Sequence, residues 1–249
     1  MKRLFRTQSP ARLIALGFAM VILLGSVLLI LPFSVREGVD LAYIDALYTS
    51  TSAVCVTGLI AVDAGDTFTP LGQFILAMLI QVGGLGVTSV GAGIILATGR
   101  KLDLKGRNLI REASNLDSGK GVMRFIKNVL LTTLIIESTG AALNFIVFCQ
   151  DYPPLKALGI SLFHSVAAFN NSGFDILGNL QNLIPYRDDV LLNLITCGLI
   201  FFGGIGFLVI REMWSHKFRW KKYSMHAKIV LTVSAALIVV GTLVLQLTE

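Results

Sequence analysis

Five segments of this chain are apolar over about the length that a helix needs to cross a lipid bilayer. The hydrocarbon core is ~30 Å thick, so a helix that rises ~1.5 Å per residue crosses it in about 20 residues. The 249 residues are 54% hydrophobic and only 14% charged, which is too few polar groups to cover a soluble fold. We therefore predict an all-α integral membrane protein. The predicted spans are residues 13–31, 69–98, 129–148, 190–211 and 229–247.

Positive charge is confined to alternate connections between these spans. The net charge is +6, and nearly all of the 21 lysines and arginines lie before the first span, between the second and third, or after the fourth. The other two connections hold only Arg36, Lys156 and Arg187 but most of the acids. The positive-inside rule then predicts a cytoplasmic N-terminus in an inner or plasma membrane. The basic segments are interpreted as solvated loops close to anionic membrane lipid, and not as a nucleic-acid site.

Each of the two outer connections contains an apolar helical segment that is too short to span the membrane. Residues 41–54 and 155–168 are roughly 14 long, against the ~20 required. Irregular backbone at membrane depth is stable only where protein or a water-filled cavity satisfies its polar groups. We predict a pore helix that enters the membrane and a loop that returns, in both connections. The alternative is an amphipathic helix that lies on the outer surface.

The two halves of the chain match each other in sequence. The motif L-Y-T-S at 47–50 recurs as L-F-H-S at 162–165, and T-G at 57–58 recurs as S-G at 172–173, in both cases 115 residues later. The motif Q-V-G-G-L-G at 81–86 recurs as F-F-G-G-I-G at 201–206, which is 120 residues later. The difference of five residues fits an insertion in the outer loop. Both units begin and end on the same side, so the repeats are parallel.

The predicted organisation is two complete pore units and the start of a third. The first unit covers residues 1–98, with helix 11–32, pore helix 41–54, filter loop 54–59 and helix 69–98. The second unit covers residues 122–214, with helix 129–149, pore helix 155–168, filter loop 169–174 and helix 189–211. Residues 99–128 form a cytoplasmic connection, and residues 215–249 form a basic loop and the first helix of a third unit. Because this unit stops there, we expect a truncated chain.

The loop after each pore helix has the composition of an ion-binding loop made of backbone. A short helix directs its C-terminal carbonyls, with a partial charge of about −0.5, toward the loop. Loop carbonyls that turn inward can replace the hydration shell of an alkali cation, and glycine allows the backbone angles that this requires. No charged side chain occurs in either loop. The predicted ion-binding residues are Cys55, Val56, Thr57, Gly58, Asn170, Asn171, Ser172 and Gly173.

The same segments resemble those of a known transport family. The run D-A-L-Y-T-S-T-S-A before V-C-V-T-G-L, the later Q-V-G-G-L-G and the second loop A-A-F-N-N-S-G-F-D are similar to the membrane subunits of bacterial Ktr and Trk potassium-uptake systems. This is the KtrB/TrkH/HKT superfamily, and the similarity is greatest to the Ktr type. It covers essentially the whole chain. It implies four unlike pore units in one polypeptide, with Gly58 and Gly173 as the first two filter glycines and units three and four missing.

The resemblance also implies a function and partners. The expected function is potassium transport through a channel-like pore in the bacterial cell membrane, by a homodimer that sits on a cytosolic nucleotide-binding ring. Potassium is the transported ion, sodium is a candidate co-ion, and no cofactor is expected in this chain. The alternative is a secondary transporter of another small cation or solute. Inverted repeats would favour that alternative, whereas these two units share one orientation.

The sequence does not predict an enzyme. It has no Ser/His pair on facing spans, no H-E-x-x-H motif and no clustered carboxylates. Its three cysteines, which are Cys55, Cys149 and Cys197, have no metal-like spacing.

Several other residues have two interpretations. Glu137 shares a face of one span with Asn144, and for Glu137 a hydrogen-bonding role between helices is favoured over a role in the ion path. The G-G-x-G motifs are interpreted as sites of close helix packing, with a flexing inner cavity as the alternative. His164 is expected to be packed and not a ligand. The outer acids Asp63, Asp66 and Asp175 either attract cations to the mouth or are ordinary solvated acids.

Overall fold

The computed structural model describes residues 10–87, 89–90, 122–217 and 219–248. The greater part of the predicted connection 99–128 and the end of the predicted helix 69–98 lie outside these residues. The described parts are helical, without a strand, and one isolated antiparallel bridge joins Val35 and Phe68. The α-helices are α1 Pro10–Ile30, α2 Tyr43–Cys55, α3 Ala64–Thr67, α4 Pro70–Leu85, α5 Val122–Phe148, α6 Pro154–Phe169, α7 Val190–Gly204, α8 Phe207–Ser215 and α9 Met225–Thr248. Two short 3-10 helices cover Ile184–Tyr186 and Trp220–Lys222.

Three of the described helices are long and apolar enough to cross a membrane. They are Ala11–Ile30, Met123–Phe148 and Met225–Thr248. Helices α7 and α8 together would make a fourth span, but their axes are bent by 102°. Helices α4 and α6, with 16 residues each, are apolar but shorter. The prediction of an all-helical chain is confirmed, and two of the five predicted spans differ in detail.

The predicted helices 69–98 and 189–211 are both interrupted at a glycine. Helix α4 ends at Leu85 and is followed by Gly86 (φ +80°), and the chain bends at Gly206 (φ +83°) between α7 and α8. A positive φ takes the backbone out of the right-handed helical region, so the helical hydrogen bonds stop there. In both places the helix resumes at once, because the glycine carbonyl accepts N–H groups three and four residues later, from Ser89 and Val90 and from Val209 and Ile210.

Capping residues explain several of the helix boundaries. The Thr69 side chain accepts the Gly72 N–H at 3.2 Å, and Pro70 occupies the first turn of α4. The Asp189 carboxylate accepts the Leu192 N–H at 2.7 Å at the start of α7. Helix α5 starts at Val122, which is seven residues before the predicted start of this helix at 129. Residue 122 is the predicted first residue of unit two.

The helices of each half pack around a short central helix. Helix α2 contacts α1 and α4, whereas α6 contacts α5 and α7 and also touches α4 of the first half. One buried cluster runs through both halves, and its largest fully buried members include Phe68, Leu76, Ile80, Phe148 and Leu192. Each short helix is therefore buried on one face, whereas Ile44 of α2 and Leu155 of α6 are exposed.

A serine hydroxyl joins each short helix to the preceding long helix. Ser50 Oγ donates to the Ile22 carbonyl at 2.8 Å, and Ser165 Oγ donates to the Glu137 carbonyl at 2.7 Å. A glycine packs against each serine, Gly25 against Ser50 and Gly140 against Ser165. A Cβ on either glycine would collide with the hydroxyl oxygen of its serine. Because these serines, carbonyls and glycines lie 115 residues apart in the chain, the two halves have the same tertiary contacts at this level.

Candidate functional site: two glycine loops in contact

Helix α2 ends in a left-handed turn that leads into the first predicted filter loop. Val56 has φ +55°, its N–H donates to the Ala53 carbonyl at 3.3 Å, and the Thr57 N–H donates to the Ser52 carbonyl at 3.0 Å. This pair of bonds is a Schellman motif, which satisfies the last carbonyls of a helix. The side chains of Thr57 and Ser52 are also bonded, at 3.0 Å.

Helix α6 ends in the same way, 115 residues later. Asn171 has φ +56°, its N–H donates to the Ala168 carbonyl at 3.1 Å, and the Ser172 N–H donates to the Ala167 carbonyl at 2.9 Å. Asn170 is the C-cap residue of this helix. Both loops are therefore built on one backbone pattern, although their side chains differ.

The two predicted filter glycines meet each other. Gly58 has φ +71° and Gly173 has φ +73°, a conformation that other residues rarely adopt. A Cβ on Gly58 would lie 2.8 Å from the Ser172 carbonyl oxygen, and a Cβ on Gly173 would lie 3.1 Å from the Gly58 Cα. A side chain at either position would therefore strain its own backbone and press on the other loop.

The first glycines of the G-G-x-G motifs lie against the ends of the short helices. A Cβ on Gly83 would collide with the Val54 carbonyl oxygen, and a Cβ on Gly203 would collide with the Phe169 carbonyl oxygen. These two glycines therefore allow close packing, as predicted, whereas Gly86 and Gly206 break the helices. The motif combines both roles at different positions.

The groups of the two loops that are suited to bind a cation are backbone oxygen atoms. Among the described residues, no hydrogen bond is formed to the backbone oxygens of residues 56–58 or 171–173. Cys55 and Thr57 are exposed, Ser172 is fully buried, and Asn170 is 8% exposed. Uncharged oxygens without a hydrogen-bond donor are suited to coordinate a dehydrated monovalent cation.

A polar cluster lies directly behind the second loop. Asn170 Nδ2 donates to Gln81 Oε1 of α4 at 2.9 Å, to Glu137 Oε1 of α5 at 3.3 Å and to the Val166 carbonyl at 2.9 Å. Glu137 thus bonds a neighbouring helix, in agreement with the interpretation favoured from sequence. The sequence motifs do not indicate Gln81 as a site residue, although a glutamine inside an apolar span is itself a signal.

Two acids between α2 and α4 bind the backbone of the second half. Asp63 accepts the Leu180 N–H at 2.6 Å, and Asp66 accepts the Asn179 N–H at 2.7 Å. Both donors lie in a strained turn in which Asn179 and Leu180 have positive φ angles. The interpretation of Asp63 and Asp66 as ordinary solvated acids is therefore incomplete, because their carboxylates join the segment between α2 and α4 to the segment between α6 and α7.

Asp175 and His164 are the two other titratable residues named from sequence. Burial raises the pKa of Asp175, the charge of Asp63 raises it further, and a hydrogen bond from the Leu177 N–H opposes both. His164 is buried on α6, its Nε2 lies 2.9 Å from Thr196 Oγ1, and its ring packs edge-on against Phe148. His164 is packed as predicted.

Comparisons with known proteins identify the relatives of this chain. The cation transport protein family TrkH matches residues 12–248. The chain is 37% identical over 248 residues to the potassium/sodium uptake protein NtpJ of Enterococcus hirae, a match that covers 100% of this chain and 54% of that protein. It is 39% identical over 224 residues to Ktr system potassium uptake protein B of Bacillus subtilis, covering 90% of this chain and 49% of that protein.

A third relative, Ktr system potassium uptake protein B of Vibrio alginolyticus, is 35% identical over 242 residues, covering 96% of this chain and 52% of that protein. The chain thus spans about half the length of the curated relatives it matches. The family and these relatives are named as transport or uptake proteins, in agreement with the prediction of a multi-pass membrane transporter and not of an enzyme. The match over nearly the whole chain shows that it belongs to the TrkH family of cation transport proteins.

Proposed function

We propose that this chain forms part of a potassium-uptake protein, in which the backbone of residues 54–59 and 169–174 binds the transported ion. The observation that carries this proposal is the contact between Gly58 and Gly173, two positive-φ glycines that follow two short, partly buried helices. Each short helix presents its negative C-terminal end to its loop. The free backbone oxygens of the loops then take the place of water around the ion.

The ion, the orientation and the partners are part of the same proposal. The relatives are named as potassium or potassium/sodium uptake proteins, so we propose potassium as the substrate and sodium as a co-ion. The alternating basic connections support a cytoplasmic N-terminus. By resemblance to the Ktr systems, we further propose that the complete pore has four such units, that the protein is a homodimer, and that a cytosolic nucleotide-binding ring regulates it.

The test replaces each glycine in the protein expressed from its complete gene in potassium-starved cells that lack their own uptake systems. Gly58→Ser and Gly173→Ser should each lower potassium uptake about tenfold, because a side chain at positive φ costs about 1–2 kcal/mol and would also press on the neighbouring loop. Uptake is measured as cell potassium content and normalised to the amount of protein in the membrane.

Gly159→Ser is the matched control. Gly159 lies in the N-terminal half of α6, away from the second loop, where a Cβ meets open space and its φ is not positive. It should retain potassium uptake. If Gly58→Ser and Gly173→Ser also retained it, the loops would not bind the ion. If the unsubstituted protein failed to restore potassium uptake while it carried another solute, the alternative of a secondary transporter would replace this proposal.

A further inference from the structure

Side chains at the junction of the two halves form a hydrogen-bonded group whose purpose the ion-binding loops alone do not explain. Asn170 caps α6 and lies one residue before the left-handed turn at Asn171. Its amide reaches α4 of the first half through Gln81 and α5 of the second half through Glu137. Three separate helices therefore meet at one amide group, directly behind a predicted filter loop.

The surroundings of this group are apolar. Gln81 and Glu137 line a groove of about 670 Å³ between α4 and α5, and its other walls include Phe74, Met78 and Leu130. A polar or ionisable side chain at such depth in a membrane protein is costly unless another polar group bonds it. Asn170 provides that partner for both residues. A Cβ on Gly84 would collide with the Asn170 side chain, so α4 also packs closely against the amide.

The first half lacks this arrangement at the corresponding positions. The residue 115 positions before Asn170 is Cys55, and the residue 115 positions before Glu137 is Ile22. The backbone pattern around them is nevertheless the same, since the carbonyls of Ile22 and Glu137 both accept a serine hydroxyl of the following short helix. The polar group is thus an addition to one half, and the shared fold does not require it.

We infer that Gln81 and Glu137 are positioning residues, which hold the Asn170 amide and thereby fix the second loop at the spacing that discriminates potassium from sodium. This inference rests on the proposed function. A loop that coordinates a bare ion through backbone oxygens must hold them in place, because a smaller ion would be bound if they moved inward. A bond from each half to one amide restrains the loop against such movement.

Hydrogen-bond counting predicts how Gln81 and Glu137 act together. The Asn170 amide has two hydrogens, and it has three acceptors within reach. The Val166 carbonyl uses one hydrogen, so Gln81 and Glu137 share the other. When one of the two is removed, the remaining one can accept the shared hydrogen. The loss of both leaves that hydrogen without a partner.

The test measures the ratio of potassium to sodium uptake in the cells described above, because this ratio does not depend on how much protein reaches the membrane. Gln81→Ala and Glu137→Ala should each lower the ratio about twofold, and the double variant about tenfold, the range expected for one buried hydrogen bond. Glu137→Gln keeps an acceptor oxygen and should retain the ratio. Ile22→Ala is the matched control, since it shortens the corresponding side chain of the first half, and it should also retain the ratio.

The outcomes separate the inference from the proposed function. If the double variant takes up less of both ions but keeps the ratio of the unsubstituted protein, Gln81 and Glu137 serve folding only and the inference is wrong. The same conclusion follows if Ile22→Ala lowers the ratio as much as the double variant does. If the unsubstituted protein and Ile22→Ala both fail to take up potassium, the proposed function itself fails.

Discussion

Asn144 lies fully buried in α5, and neither atom of its amide group has a hydrogen-bond partner among the described residues. Leu29 occupies the position 115 residues earlier and is also fully buried. The site thus accepts a leucine in one half of the molecule. Asn144→Leu should therefore raise the free energy of unfolding by about 1–3 kcal/mol, because it removes unsatisfied buried polar atoms. The measurement is thermal denaturation of the detergent-solubilised protein.

A second asparagine is the control for this substitution. Asn193 Nδ2 donates to the carbonyls of Tyr186, Arg187 and Asp189 at the start of α7. Asn193→Leu removes these bonds and should lower the melting temperature. A lower melting temperature for Asn144→Leu as well would mean that the Asn144 amide has a partner, such as an internal water molecule.

Asp175 makes the stability of the protein depend on pH, and the direction of this dependence follows from the raised pKa of its carboxyl group. Burial raises its pKa above the ordinary value of 3.8, so the folded protein binds a proton at a pH where the unfolded chain has released it. The free energy of unfolding then decreases as the pH rises from the pKa of Asp175 in the unfolded chain through its raised pKa in the folded protein. Asp175→Asn removes this effect and can keep the bond from Leu177. The variant should therefore exceed the unsubstituted protein in melting temperature by more at pH 7 than at pH 4.

The control for this prediction is Asp188→Asn. Asp188 is 90% exposed and pairs only with the neighbouring Arg187 among the described residues. Its difference from the unsubstituted protein should be small at both pH values. An equal difference at pH 4 and pH 7 for Asp175→Asn would show that Asp175 titrates like an exposed carboxyl group.

At the scale of the helix, Gly198 in α7 and Gly206 between α7 and α8 allow a paired comparison of glycine-to-alanine substitutions. Gly206 has φ +83°, so Gly206→Ala should lower the free energy of unfolding by about 1–2 kcal/mol. Gly198 lies inside α7, where a Cβ meets open space and φ is not positive. Gly198→Ala should raise the same quantity by about 0.4–1 kcal/mol, because it restricts the unfolded chain. Thermal melts of the two variants in opposite directions would support this, whereas equal shifts would contradict it.

The helices themselves were predictable because length and apolarity decide which segments can cross a bilayer. The short helices α2 and α6 were found because an apolar segment below the spanning length requires an unusual explanation. The breaks at Gly86 and Gly206 were not found. A glycine in an apolar segment is compatible with close packing, as at Gly83, and equally with a positive φ, and the sequence does not distinguish the two.

The same limit applies to the candidate site. The repeat predicted that the two glycine loops would correspond, since the motifs themselves align. It did not predict the bond between Asn170 and Gln81, because those residues lie far apart in the chain and no periodicity relates them. Likewise, the negative charge of Asp63 and Asp66 was visible in the sequence, but the backbone groups that they bind belong to a turn without a recognisable motif.

At the scale of the whole molecule, Asp63 and Asp66 connect the segment between α2 and α4 to the segment between α6 and α7. Replacement of both by alanine leaves the Asn179 and Leu180 N–H groups without their acceptors. The double variant should therefore exchange these two amide hydrogens at least about tenfold faster, since each charge-assisted bond contributes about 1.5–3 kcal/mol. Hydrogen exchange followed by mass spectrometry of the segment 176–183 provides the measurement.

Asp40→Ala is the control, because Asp40 is exposed and lies between α1 and α2 of the same half. It should leave exchange in the segment 176–183 unchanged. If the double variant also left exchange unchanged, the turn at Asn179 would hold its shape without the carboxylates, and the two connected segments would be independent of each other.

The recurrence of the same contacts around different side chains has a consequence for how such a protein can evolve. The serine–carbonyl bonds and the left-handed turns are alike in the two halves and give both the same local architecture. Positions that differ between the halves, such as Cys55 and Asn170, carry unlike side chains within that architecture. Mutation can therefore change one half while the other keeps its geometry, an option closed to an assembly of identical subunits, in which each mutation appears in every copy at once.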